Sequence, residues 1–384
     1  MPRLVAVVAE GGSGFVDALQ RAWDAGDAVA PLDPRLPPPA AEALLDALAP
    51  SQVVAPDGVA FPRRGGRPVE HGDALVVATS GTSGSPRGVV LTVQAVRAAA
   101  LATSAALAVD PGRDRWLACL PLAHVGGLSV VTRALLTGTP LALLPAADPA
   151  GIHAEARRGA TLVSLVPTLL GRVDVSAFRR VLLGGAAPPA ERPPNVVATY
   201  GMTETCGGVV HDGRPLPGVE VRAVDGELHV RGPMLLRCYR DGADPKDARG
   251  WLATGDGGEV GADGEVRVAG RLAEVVVTGG EKVWPAPVEA VLAGHEAVAE
   301  VAVAGRPDPE WGQRVVAFVV PAHHAAPPSL ESLRGWAKQR LPAYAAPREL
   351  VLVETLPRTA LGKLRRAELA AFARPGATLG SVDG

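Results

Sequence analysis

The chain has 384 residues, 47% of them apolar and 20% charged, and a formal net charge of −2. That length gives two or three domains with sizeable cores, and the near-neutral balance excludes nucleic acid as the main partner, because no basic excess exists to neutralise phosphates. Three widely spaced cysteines, Cys119, Cys206 and Cys238, form neither a metal pattern nor a disulfide framework and fit a reducing, cytoplasmic setting. The start is too short in its apolar part for a signal peptide, and no uncharged apolar run reaches membrane-spanning length.

Residues 15–25 predict an amphipathic helix, 28–32 a short strand, 40–48 a helix and 52–55 another strand. Strands alternating with helices indicate an α/β sheet. Arg63-Arg64-Gly65-Gly66-Arg67 reads as a solvated basic loop. The apolar run Asp73-Ala74-Leu75-Val76-Val77-Ala78 then leads into Thr79-Ser80-Gly81-Thr82-Ser83-Gly84-Ser85-Pro86-Arg87-Gly88. Three glycines let the backbone turn its N–H groups inward, and five hydroxyls add donors. That combination suits an anionic phosphate chain. A flexible surface linker is the bland alternative, disfavoured by the strand-like runs on both sides. No Gly-Lys-Ser/Thr closes the loop, so it is not a Walker A motif. Thr92 is placed to cap a helix through residue 107.

Trp116-Leu117-Ala118-Cys119-Leu120-Pro121-Leu122-Ala123-His124 reads as a buried strand running into a turn that carries a histidine. Taken alone, His124 is a packed or capped residue. Residues 130–136 and 149–159 have helical composition, and 141–144 and 162–166 are strands closed by proline. Val181-Leu182-Leu183-Gly184-Gly185-Ala186-Ala187-Pro188 opens a strand into a small-residue turn that a planar ring can approach; a plain tight turn explains it almost as well. The strand 196–199 delivers Tyr200-Gly201-Met202-Thr203-Glu204-Thr205-Cys206-Gly207-Gly208. Here Tyr200 suits a base, Thr203 a phosphate and Glu204 a magnesium ion, which prefers carboxylate and phosphate oxygens. Helix capping or a surface ion pair is the alternative for Glu204.

From residue 220 short alternating strands with Asp-Gly turns take over. Within them Thr254-Gly255-Asp256 places an acid that can take both hydroxyls of a ribose, unless Asp256-Gly257 is a simple turn. Gly270-Arg271 closes that region. A compact α/β unit follows, with helices at 287–292 and 329–339 and strands at 298–304, 315–320 and 350–354. The tail Pro357-Arg358-Thr359-Ala360-Leu361-Gly362-Lys363 carries one of only four lysines in the chain; a solvated basic tail is its ordinary reading.

In their order, these segments resemble the adenylate-forming superfamily of acyl-CoA synthetases, nonribosomal adenylation domains and luciferases, over roughly residues 70–366. Within it, the segments at 120–129 and 199–213 and the short N-terminal part are most similar to the o-succinylbenzoate–CoA ligases of menaquinone biosynthesis. The resemblance implies an α/β fold: a large N-terminal portion, residues 1–270, with α/β sheets and a β-rich subdomain, then a small mobile α+β domain, residues 271–384, carrying a catalytic lysine. It implies a soluble ligase using ATP, Mg²⁺ and CoA on an aryl carboxylic acid, with no nucleic acid or membrane partner and a homodimer left open. Carried over residue by residue, Thr79, Ser80, Gly81, Thr82, Ser83, Gly84 and Arg87 would hold the phosphates. Gly185, Ala186, Ala187, Tyr200, Gly201 and Met202 would frame the adenine. Thr203 and Lys363 would serve the α-phosphate, Glu204 the magnesium, and Asp256 and Arg271 the ribose. His124, Gly207 and Gly208 would line the acyl pocket, and Gly279 and Gly280 a pantetheine channel.

Three positions depart from the superfamily pattern. Ser83 and Arg87 stand where threonine and lysine are usual, and Ala273 stands where a polar hinge residue is usual, which leaves the hinge at Ala273 or Glu274. A ligase for another acid, a non-catalytic nucleotide-binding relative and a luciferase-like oxygenase remain as alternatives. Lys363 and Glu204 together speak against the non-catalytic one.

Overall fold

The computed structural model describes residues 1–80, 86–189, 191–358 and 364–369. The chain divides into two compact units. Unit 1 takes residues 1–224, 229–254 and 260–267; unit 2 takes residues 225–228, 255–259 and 268–384.

Among the described residues, unit 1 carries two seven-stranded sheets. In the first, Leu4–Val8 lies between the central strand Ala28–Leu32 and Gln52–Val54, parallel to both. Ala28–Leu32 is buried along its whole length, as expected of a strand covered on both faces. Beyond it lies the hairpin of Asp73–Ser80 and Pro86–Thr92, with Thr79 opposite Arg87. Cys238–Tyr239 then adds an antiparallel edge, Tyr239 opposite Val89. The helix Ser13–Asp24 covers this sheet through Phe15, Val16, Ala18, Leu19 and Ala22, the spacing of one helical face. Thr92 caps the helix Val93–Ala106 by accepting from the Ala95 N–H at 3.1 Å.

The second sheet holds Trp116–Ala118, Leu141–Leu143, Leu162–Leu165, Arg180–Leu183 and Val196–Met202, all parallel. Gly207–His211 and Arg214–Pro215 continue it in antiparallel fashion. Its core includes Leu117, Ile152, Val163, Leu165, Val181 and Val196. The parallel strands all deliver their carboxyl ends to one edge, where open α/β sheets bind ligands.

Unit 2 holds Glu281–Val283, Val276–Thr278, Gly312–Pro321, Val298–Asp308 and Glu349–Leu352 in one sheet. The helices Pro285–Ala293 and Leu330–Lys338 pack on it through Val288, Leu292, Leu333 and Ala337. Ser329 caps the second helix by accepting from the Ser332 N–H.

The core of unit 1 contains an uncompensated charge. Arg133, on the helix Val125–Thr137, is 5% exposed, and neither its Nε nor its Nη1 finds a hydrogen-bond acceptor. Its guanidinium lies over the Trp116 ring at 4.7 Å, which favours the cation but satisfies no N–H. Burial pulls its pKa down to about 10, so it stays charged at neutral pH. His211 is 8% exposed with an unpartnered Nδ1, and burial, then Arg133, pushes it down to about 4. The unfolded chain therefore binds a proton below about pH 6.5 that the folded chain refuses. Stability contributed by neutral His211 is present above that pH and is lost as pH falls toward 4, by at most about 3 kcal/mol. Thermal melts from pH 7 to pH 4.5 should show a steeper acid loss in the parent than in a His211→Gln variant; parallel curves would contradict a buried neutral imidazole.

Candidate active site

Unit 1 gathers most of the residues singled out from the sequence. Gly184 and Gly185 follow the strand Arg180–Leu183, and Gly185 has φ +86°, a left-handed turn that favours glycine. Tyr200, Gly201 and Met202 end the strand Val196–Met202, and Thr203–Thr205 form one 3₁₀ turn. The Thr205 hydroxyl accepts from the Met202 N–H at 2.9 Å and donates to the Gly207 carbonyl, which closes that turn. A Cβ at Gly201 would lie 1.9 Å from the Gly207 carbonyl oxygen, so the turn admits only glycine. Glu204 is neither a helix cap nor a member of a surface ion pair with an Arg or Lys among the described contacts. Its Oε1 accepts from the Tyr239 hydroxyl at 3.1 Å, and its carbonyl accepts from the Leu236 N–H.

Thr79 and Arg87 face each other where the hairpin arms converge. The side chain of Ser80, and Gly81, Thr82, Ser83 and Gly84, lie outside the described residues, as does Lys363. Arg87 donates from Nη2 to Asp241 at 3.0 Å, and its guanidinium rests 3.7 Å above the Tyr239 ring centre. The position where a lysine is usual is thus filled by a planar cation lying on an aromatic face, an arrangement open to arginine and poor for an ammonium.

His124 sits at the N-cap of the helix Val125–Thr137 rather than in a free turn. Its carbonyl accepts from the Gly127 and Leu128 N–H groups. Its Nε2 lies 3.7 Å from the Asp33 carboxylate. The Arg35 side chain holds Asp33 below the usual carboxylate range, and His124 adds to that. Gly207 has φ +110°, and a Cβ there would meet Ser129 and Val125 at 3.8 Å. A Cβ at Gly208 would lie 2.0 Å from the Thr199 hydroxyl and 3.4 Å from His211 Nε2. Ser129 and Arg133 are one helical turn apart on the same face. His124, Gly207, Gly208, His211 and Arg133 therefore share one neighbourhood.

Within unit 2, Asp256 and Arg271 pair at 3.0 Å, the acid nearly buried and the guanidinium half exposed. Asp256 lies inside the strand Leu252–Val260, not at an Asp-Gly turn. The left-handed Gly255 (φ +71°) redirects the strand, with its N–H donating to Glu227 at 2.8 Å. The sequence reading missed Trp284. Its ring packs so closely on Gly257 that a Cβ there would lie 1.9 Å away, and it lies 3.6 Å from the Cβ position of Gly270. The two glycines flanking Asp256 and Arg271 were the available signal. Gly279 and Gly280 both have left-handed φ. A Cβ at Gly279 would press on the Trp311 ring at 2.8 Å, and Arg348 lies over that ring at 4.0 Å. Ala273 and Glu274 fall in the 3₁₀ turn Leu272–Glu274, and Glu274 is held by Arg366 at 2.7 Å.

Among the described residues no group of three or more His, Cys, Asp or Glu gathers to hold a metal ion. A lone Glu204 carboxylate nevertheless fits magnesium, which is commonly bound through one or two carboxylates and the substrate's phosphates. No helix of the described residues is long and apolar enough to cross a membrane.

The AMP-binding enzyme family model matches residues 66–240, and that of the AMP-binding enzyme C-terminal domain matches residues 287–363. A probable 2-succinylbenzoate–CoA ligase of Mycobacterium tuberculosis is 40% identical over 336 residues, covering 80% of this chain and 86% of the relative. The o-succinylbenzoate CoA synthetase of Bacillus subtilis, solved with the acyl-adenylate intermediate OSB-AMP, is 27% identical at a TM-score of 0.85. That match covers 98% of this chain and 89% of the other. The same enzyme solved with ATP and a magnesium ion is 26% identical at a TM-score of 0.83, covering 96% and 89%. With the motifs in order, the strand ends converging and these likenesses, the chain belongs to the AMP-binding, adenylate-forming enzyme family.

Proposed function

We propose that this chain activates o-succinylbenzoate as its acyl-adenylate and transfers the acyl group to CoA. In the first half-reaction a carboxylate oxygen attacks the α-phosphorus of ATP, and the bond to the bridging oxygen breaks, releasing pyrophosphate. In the second, the CoA sulfur attacks the acyl carbon, AMP leaves with the former carboxylate oxygen, and the thiol proton is lost. The protein supplies no nucleophile; positioning and charge stabilisation do the catalytic work.

The residues divide by role. The loop N–H groups and hydroxyls of Thr79, Ser80, Thr82 and Ser83, with Arg87, hold the phosphates. Gly185, Ala186, Ala187 and Tyr200 take the adenine, and Asp256 with Arg271 takes the ribose. Glu204 is the magnesium carboxylate, and the ion, when bound, offsets charge on the phosphates. Thr203 and Lys363 act on the α-phosphate and the attacking carboxylate. Residues 271–384 form the module that carries Lys363, with Gly279 and Gly280 serving the pantetheine arm.

One observation carries the reading from an acid in general to a diacid. Arg133 is a buried cation with two nitrogens, Nε and Nη1, free of acceptors, on the helix face that meets Gly207. A buried unpaired charge is costly, and a carboxylate on the substrate relieves it. The acid that reacts uses one carboxylate; the ring carboxylate of o-succinylbenzoate is the second.

Incubation with ATP, Mg²⁺, CoA and a panel of acids, with mass detection of thioesters, tests the activity. The o-succinylbenzoyl thioester should dominate; AMP release with every other acid but not this one would remove the assignment. Arg133→Met should raise the KM for o-succinylbenzoate by about tenfold or more while leaving 4-oxo-4-phenylbutanoate, which lacks the ring carboxylate, nearly unaffected. Equal losses on both acids would take Arg133 out of carboxylate recognition. Lys363→Ala should slow adenylation by about 10²–10³ while sparing thioester formation from supplied acyl-adenylate, whereas equal loss in both steps contradicts its role. Asp256→Ala should raise the KM for ATP roughly tenfold or more with little change in the KM for CoA, and an unaltered ATP dependence would exclude it from the nucleotide site.

A further inference from the structure

Tyr239 has no assigned role, yet it touches two residues assigned to the phosphates and the magnesium ion. Its hydroxyl donates to Glu204 Oε1 at 3.1 Å, and its ring carries the Arg87 guanidinium at 3.7 Å. We propose that Tyr239 is a positioning residue that fixes the Glu204 carboxylate for the magnesium ion of Mg·ATP. The proposal rests on the reading of Glu204 as the magnesium carboxylate.

The backbone explains why the phenol arrives there. Cys238–Tyr239 is an edge strand beside Pro86–Thr92, with Tyr239 opposite Val89 and the Arg240 N–H donating to the Gly88 carbonyl at 2.7 Å. Two positions upstream of Cys238, the Leu236 N–H holds the Glu204 carbonyl at 2.8 Å. One short segment thus docks on both the exit of the phosphate loop and the Thr203–Thr205 turn. A glutamate side chain has three freely rotating bonds, and a single directional bond to one carboxylate oxygen removes much of that freedom. It occupies Oε1 and leaves Oε2 for a cation. A phenol offers one O–H donor, and here it is spent on the carboxylate. Arg87 on the ring face and Asp241 beyond it complete the local charge balance.

The test is ATP binding without acid, so that nothing turns over, measured by calorimetry with magnesium and again with a chelator. The ratio of the two affinities is the magnesium increment. Tyr239→Phe deletes one oxygen and keeps the ring under Arg87. It should cut that increment by about fivefold to tenfold while leaving the chelator-arm affinity and the melting temperature near the parent values. Glu204→Gln should abolish the increment, and adding Tyr239→Phe to it should change nothing further. An increment lost in Glu204→Gln but intact in Tyr239→Phe would overturn the proposal alone. An increment intact in Glu204→Gln, or absent in the parent, would overturn the reading of Glu204 and the proposal with it. A loss in both arms with a lowered melting temperature would mark Tyr239 as merely structural.

Discussion

Gly201 and Gly207 approach so closely that a side-chain carbon on Gly201 would lie 1.9 Å from the Gly207 carbonyl oxygen. This close approach fixes the geometry of unit 1's site. The strand ending in Tyr200, Gly201 and Met202 must reverse through Thr203–Thr205 and return as Gly207–His211. The outgoing arm and the turn carry the residues assigned to the nucleotide, and the returning arm carries those assigned to the acid. Any side chain at Gly201 would separate the arms by more than an ångström. Adenylation requires reacting atoms about 3–3.5 Å apart, so a spacing set by backbone-to-backbone contact is a direct catalytic asset. Thr205 reinforces it from inside, bridging the Met202 N–H and the Gly207 carbonyl with one hydroxyl.

The two arginines assigned to substrate charges in the proposed function are handled in opposite ways. Arg87 is exposed enough to be exchanged between Asp241 and a ligand, since a surface pair of this kind contributes only about 0–1 kcal/mol. Arg133 is buried without an acceptor for two of its nitrogens. The low-dielectric surroundings that make it costly in the free protein would strengthen its pairing with an anion placed against it. A site holding a desolvated cation rejects acids that leave it unpaired, by the same logic that lets a hydrogen-bonding pocket reject an analogue lacking one hydroxyl.

Much of this was legible in the sequence, where local chemistry decides the outcome. The alternation of buried strands and amphipathic helices identified the α/β class, and Thr92 was visible as a cap because its hydroxyl acts within one turn; Ser329, read as the first helical residue, caps its helix instead. Gly185, Gly207 and Gly279 proved left-handed, as small-residue turns suggest. What could not be read is what depends on partners far apart in the chain. Tyr239 meets Glu204 across 35 positions and Arg87 across 152, and no local pattern encodes those meetings. For Asp256 a simple Asp-Gly turn stood as the alternative, because that pair is ordinarily a turn signal; Trp284, remote in sequence, instead packs against Gly257 inside a strand. Arg133 lies among apolar helix residues and gave no sign that its charge would be buried without an acceptor.

In the proposed reaction one oxygen of the substrate carboxylate becomes bonded to the α-phosphorus. The most direct measurement uses o-succinylbenzoate labelled with heavy oxygen in its side-chain carboxylate, together with ATP, Mg²⁺ and CoA. AMP should gain one labelled oxygen for each thioester formed, and pyrophosphate none. Label in pyrophosphate or inorganic phosphate, formation of ADP, or AMP without label would contradict it.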